Sequence, residues 1–181
     1  MSSNVIEAES YEFSAQDKLI VDTNVWIFNY GPSSPRKPQV RKYSRILSNA
    51  LTAKCQIYID VMIVSEFINT YARMKFNQIK QQNQFCNFKS FRNSSGFKAV
   101  ARDIASDTRR ILSLCNRIKT GFETVDIDKI LTEFGQGNSD FNDQMITALC
   151  KREGLTLVTD DGDFAGKDIP IITANRRLLA P

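Results

Sequence analysis

At 181 residues, with 42% hydrophobic and 24% charged side chains, the chain has the length and balance of one globular domain with a sizeable core. It has no histidine, and Cys55, Cys86, Cys115 and Cys150 form no CxxC pair, which excludes His-based acid–base chemistry, serine-type triads and His/Cys zinc sites. The net charge of +4 hides an asymmetry: Arg36 to Arg45 holds five basic and no acidic residues, Tyr71 to Thr120 eleven basic against two acidic, and the remainder is acidic.

The first 17 residues carry Glu7, Glu9, Glu12 and Asp17 and lack a basic-then-apolar leader. They are expected to form a loosely attached acidic tail before a single domain over 18–181. Lys18 to Asp22 reads as a short buried strand ending in a polar turn. Gly31, Pro32, Pro35 and Pro38 mark a loop, and Val40 to Ala53 is expected to be helical. Gln56 to Ile59 is a second strand. Asp60 then caps a helix whose Val64, Phe67, Ile68 and Tyr71 share one face.

Arg73 to Ser95 is polar and phenylalanine-rich, helical only in part, and belongs to a long insert over about 71–120. After a break at Asn93 to Gly96, a long helix is expected from Phe97 to Lys119. Phe122 to Ile127 alternates as a third strand, and Asp128 to Phe134 forms a short helix. Gly135 to Gly137 reverses the chain, Asp140 to Glu153 is helical, and Leu155 to Val158 and Ile169 to Ile172 complete five strands. Strands separated throughout by helices imply an α/β fold with a mainly parallel sheet. The longest apolar runs are too short to span a bilayer, so a cytoplasmic location is expected.

Open parallel sheets bind ligands beyond the carboxyl ends of their strands. Asp22 closes the first strand, and Glu66 sits in the opening turns of the helix after the second. Asp140 and Asp143 share a first helical turn at i, i+3, aimed the same way. Thr159, Asp160, Asp161 and Asp163 follow the fourth strand. Each has an innocent reading as a cap, a helix-dipole partner or a turn residue. Their convergence on one sheet edge is what points to function. Crowded carboxylates repel one another unless a cation is present, and an all-oxygen ligand set suits Mg²⁺ or Mn²⁺ rather than zinc.

Four strings carry a resemblance: Ile20-Val21-Asp22-Thr23-Asn24-Val25, Ser65-Glu66-Phe67, Asp140-Phe141-Asn142-Asp143 continuing to Ala148, and Leu157-Val158-Thr159-Asp160-Asp161-Gly162-Asp163-Phe164. In this order the chain resembles the PIN-domain nucleases, and within them the VapC-type ribonuclease toxins of toxin–antitoxin pairs. The resemblance implies a three-layer α/β/α fold with a five-stranded parallel sheet and an acidic site for one or two Mg²⁺ or Mn²⁺ ions. It places Asp22, Glu66, Asp140 and Asp143 at the family's acidic positions and Asp161, with Asp163 as the alternative, at a further one. Thr159 matches a supporting hydroxyl and Asn24 a nearby polar residue. The implied activity is hydrolysis of RNA phosphodiester bonds. The implied partners are an RNA substrate, an antitoxin protein and a second copy of the chain.

An acidic pocket repels a polyanion, so a nuclease of this type needs basic groups around its rim. Arg73, Lys75, Lys80, Lys89, Arg92 and Lys98 alternate with Phe76, Phe85, Phe88, Phe91 and Phe97, a mixture that suits single-stranded RNA. The competing reading makes the phenylalanines core residues and the charges a solvated helix face. Other folds fit less well. A haloacid-dehalogenase-type phosphatase needs a second Asp where Asn24 stands, and a receiver domain needs paired acids after its first strand. A catalytically silent PIN-like scaffold should have lost site acids, and a housekeeping nuclease would keep the chemistry without the antitoxin.

Overall fold

The computed structural model describes residues 4–80, 87–137 and 140–180. Its strands are β1 (Val5–Glu7), β2 (Lys18–Val21), β3 (Gln56–Ile59), β4 (Asn116–Arg117), β5 (Thr156–Val158) and β6 (Ile171–Thr173). Its helices are α1 (Thr23–Tyr30), α2 (Pro38–Thr52), α3 (Val61–Lys80), α4 (Phe88–Arg92), α5 (Phe97–Leu114), α6 (Ile127–Gly135), α7 (Phe141–Glu153) and α8 (Arg176–Leu179). All strand pairs are parallel, in the order β1-β6-β5-β2-β3-β4. Parallel neighbours require crossovers, and right-handed ones place α1 to α5 over one face and α6 and α7 over the other. The central strand β2 accordingly buries Leu19, Ile20 and Val21 in succession, as a strand covered on both faces must.

The α/β class expected from the sequence holds, with six strands rather than five. The sixth strand is β1, which lies in the supposed acidic tail. Val5, Ile6 and Glu7 pair with Ile171, Ile172 and Thr173, so this part of the N-terminus is stitched to the sheet edge. The expected strand at Phe122 to Ile127 is instead a 3₁₀ turn followed by α6, with Phe122 exposed. The strand role passes to β4. There Cys115 turns to an extended φ of −122°, α5 stops short of Lys119, and Ile118 N–H donates to the Ile59 carbonyl at 3.0 Å.

Helix α1 has no counterpart in the sequence reading. Val25, Trp26 and Ile27 are all buried, so it carries no polar stripe to mark a helical period. The polar insert is helical to Lys80, and its phenylalanines extend the core: Phe76 and Phe91 are buried, with ring centroids 5.7 Å apart, and Phe88 and Phe97 pack on them. On α3 the buried stripe is Ile63, Phe67, Tyr71 and Phe76, with Ile68 left exposed. Phe85 and Cys86 lie outside the described residues. Among the described residues no helix is long and apolar enough to cross a membrane.

Candidate active site

From β2 the chain steps through β3 to β4, while β5 and β6 lie on the other side of β2, so the strand order reverses between β2 and β5. Ligands bind at such a switch point. Asp22 and Thr159 are the first residues past these two strands, held side by side because Asp22 N–H donates to the Val158 carbonyl at 3.0 Å. Asp22 also caps α1, accepting from Thr23 N–H at 2.6 Å. Its other oxygen accepts from the Thr159 hydroxyl at 2.6 Å and the Asn24 amide at 2.7 Å. Three donors thus fix one buried carboxylate.

Thr159 in turn accepts from Asp161 N–H at 2.9 Å, and Asn24 Oδ1 from Asp160 N–H at 3.2 Å, which shapes the turn after β5. Asp161 accepts from Asp163 N–H at 3.0 Å. Asp140 caps α7 by accepting from Asn142 N–H at 2.8 Å, and Asp143 follows in the same turn. Glu66 enters from the second turn of α3. Asp22, Glu66, Asp140, Asp143, Asp161 and Asp163 line one cavity of about 350 Å³ with the amides of Asn24 and Asn142. Among the described residues no Lys or Arg lines it.

The structure therefore brings together Asp22, Glu66, Asp140 and Asp143 with both Asp161 and Asp163, but not Asp160. Asp160 is turned away: Tyr43 donates to it at 2.9 Å and Asn175 donates to its carbonyl at 2.6 Å. Sequence reasoning missed Asn142, although its place between Asp140 and Asp143 in a first helical turn could have marked it. It also missed Tyr43, a buried tyrosine that ties the turn after β5 to β6 through Thr159 O and Ala174 N–H. Nothing in the sequence near Tyr43 signals that contact.

The electrostatics are those of like charges held together. Asp143 is pushed up to about 7 by burial and then by Asp161, Asp140, Asp22 and Asp163. Asp22 is also pushed up to about 7: burial leads, Glu66 and Asp161 add repulsion, and the Thr159 and Thr23 hydrogen bonds offset part of it. Burial likewise raises Glu66, with Asp140 and Asp161 contributing. The Thr23 hydroxyl lies close enough to lower Glu66 but short of hydrogen-bonding geometry, and it is left buried without a partner among the described residues. As placed, no three acids among the described residues close into a coordination shell. The donor set, carboxylate and amide oxygen with neither His nor Cys, still fits a hard divalent cation.

The basic residues expected at the rim are placed otherwise. Arg73 lies 5.2 Å from the Phe88 ring centroid and Lys80 6.0 Å from that of Phe76. Lys75 is half-buried, and Lys89 and Arg92 are exposed on α4. Neither these five nor Lys98 lines the acidic cavity. Lys80 is about 21 Å along α3 from Glu66. Arg73 stands on the Glu66 stripe two turns on, about 10 Å away along the axis, and is the nearer of the two, since Lys80 follows on the same stripe two turns further.

Comparison with known families places this geometry. The PIN domain family model matches residues 19–170, which spans all six acids and both switch-point strands. No curated protein matches the chain.

Proposed function

The chain belongs to the PIN domain family, whose members are generally nucleases, and from that membership we propose that it is a Mg²⁺- or Mn²⁺-dependent endoribonuclease. The observation that carries this reading is the cavity itself: six carboxylates from four separate segments meet at the switch point with no cationic side chain among the described lining residues. Asp22, Asp140 and Asp143 would hold the metal, with Glu66 and Asp161 as further ligands or as holders of the attacking water. A bound divalent ion lowers the pKa of water and screens charge on the phosphoryl oxygens.

The chain's own side chains prepare that chemistry. Thr159 and Asn24 donate to Asp22 and fix the direction in which its oxygens point. Glu66, made more basic by burial and by its acidic neighbours, would take up a proton from water. Asp163 N–H holds Asp161 in its turn. Arg73, on the stripe that carries Glu66, is proposed to meet the RNA, and Lys75, Lys80, Lys89 and Arg92 to add outlying attraction.

We further propose that the chain is the toxin of a toxin–antitoxin pair and works as a homodimer, a reading supported by the VapC-like order of its four motifs. The gene directly upstream tests the first of these: an antitoxin-like open reading frame supports it, and its absence favours a housekeeping nuclease. For the activity, purified protein is incubated with RNA in Mg²⁺, Mn²⁺ or EDTA. Cleavage in the metals alone is expected. Cleavage unchanged by EDTA would overturn the metal mechanism, and no cleavage of any RNA would overturn the nuclease.

A further inference from the structure

A second cavity, of about 420 Å³, adjoins the carboxylates. Lys42 of α2 lines it from one side and Arg176 and Arg177 of α8 from the other, with Tyr43, Asp160 and Asn175 among the remaining lining residues. Three cations thus face a single carboxylate. Arg176 and Arg177 are exposed, and neither forms an ion pair among the described residues. Lys42 pairs with Glu9 at 3.3 Å, but both side chains are more than a third exposed, so the pair is weak and exchangeable.

The walls of this cavity are fixed to the acidic site. Asp160 lines the basic cavity and Asp161 the acidic one, so the partition is one peptide step, about 3.8 Å between Cα atoms. Asn175 donates to the Asp160 carbonyl at 2.6 Å and accepts from Arg177 N–H at 2.9 Å, which locks the start of α8 onto that partition. On the acidic side Asn24 and Thr159 accept from the N–H groups of Asp160 and Asp161. A cationic cavity is therefore held at a fixed offset from a carboxylate cavity across a single residue.

Resting on the nuclease reading above, we propose that this cavity holds a backbone phosphate of the nucleic-acid strand, next along from the bond at the carboxylates, with Arg176, Arg177 and Lys42 as its contacts. A polyanion that reaches six carboxylates needs compensating cations close by, and these line the cavity that shares the Asp160–Asp161 partition, which the basic residues of α4 do not. The contact is to phosphate, so it carries no base specificity.

The test is fluorescence anisotropy of a short labelled oligoribonucleotide and the same sequence in DNA, in EDTA across a range of salt. The Arg176→Gln/Arg177→Gln variant is expected to bind both strands about tenfold more weakly, and the slope of log affinity against log salt should fall by about 1.4. Arg176→Lys/Arg177→Lys should keep the slope. A charge-matched Lys18→Gln/Lys54→Gln variant, altered at the other end of the strands, should bind as wild type does. Mn²⁺-dependent thermal stabilisation unchanged in the glutamine variant shows that the fold and the acidic site are intact. Wild-type binding with an unaltered slope in the glutamine variant overturns the subsite and leaves the nuclease standing. Loss on RNA alone, or equal loss in the lysine variant, overturns the phosphate contact. Failure of the wild type to bind either strand overturns the subsite, while the nuclease stands or falls on cleavage in Mg²⁺ or Mn²⁺.

Discussion

Replacing Asp143 by Asn takes one negative charge from a cavity that six carboxylates line, with no Lys or Arg among the described lining residues. The fold holds this carboxyl at about 7 instead of 3.8. Over that interval linkage corresponds to about 4 kcal/mol. Asp143 is only half-buried, so solvent screening lowers the expected effect to about 1–2 kcal/mol. A raised carboxyl contributes its full stability only below its unfolded value, about 3.9, and loses it as pH rises through about 7. In EDTA the wild type should therefore weaken between those values. The Asp143→Asn variant should weaken less, because Asp22 still titrates in both proteins. Urea unfolding in EDTA should show equal stabilities at about pH 4 and a more stable variant at about pH 8. Mn²⁺ should then reverse the order, stabilising the wild type far more than Asp143→Asn, because a ligand that binds only the folded state adds its binding energy. A variant no more stable than wild type at the higher pH would refute the claim that these carboxylates strain one another.

Three further outcomes are expected. Thr159→Val removes the donor to Asp22 and the acceptor for Asp161 N–H, and should slow RNA cleavage about 10–100-fold with little loss of fold, measured as kcat/KM beside a circular-dichroism melt. Tyr43→Phe leaves the Ala174 N–H and the Asp160 carboxylate without their hydroxyl partner, and should cost about 1–3 kcal/mol in urea unfolding. Gly121→Ala puts a Cβ against the Arg152 guanidinium at a φ of +74°, displacing a side chain that donates to the Thr120 and Lys119 carbonyls at 2.9 and 2.7 Å. It should destabilise by about 1–3 kcal/mol in the same assay.

The acidic site was legible in the sequence because each acid sits at a place the chain marks locally. Asp22 follows an apolar run, Asp140 and Asp143 open a helix, and Thr159 to Asp163 follow another apolar run. Strand ends and helix starts meet at one sheet edge in any parallel α/β fold, so their convergence needs no knowledge of strand order. The basic side was not legible. Lys42 and Arg176 lie far apart along the chain and meet only through the Tyr43 and Asn175 hydrogen bonds across the turn after β5. Density of charge along the sequence pointed instead to the segment after Tyr71, where the phenylalanines proved to be core. The elements missed share a cause. None shows a readable pattern: β1 and β4 are edge strands with mostly exposed residues, unlike the equally short but buried β5 and β6, and α1 is apolar around its circumference.

Anomalous diffraction from crystals grown in Mn²⁺ locates the ion independently of any assay of cleavage. Manganese within about 2.2 Å of carboxylate oxygens from Asp22, Asp140 and Asp143 together is the outcome expected. A chain that binds manganese only at other residues, or not at all under conditions where it cuts RNA, would contradict the shared metal site.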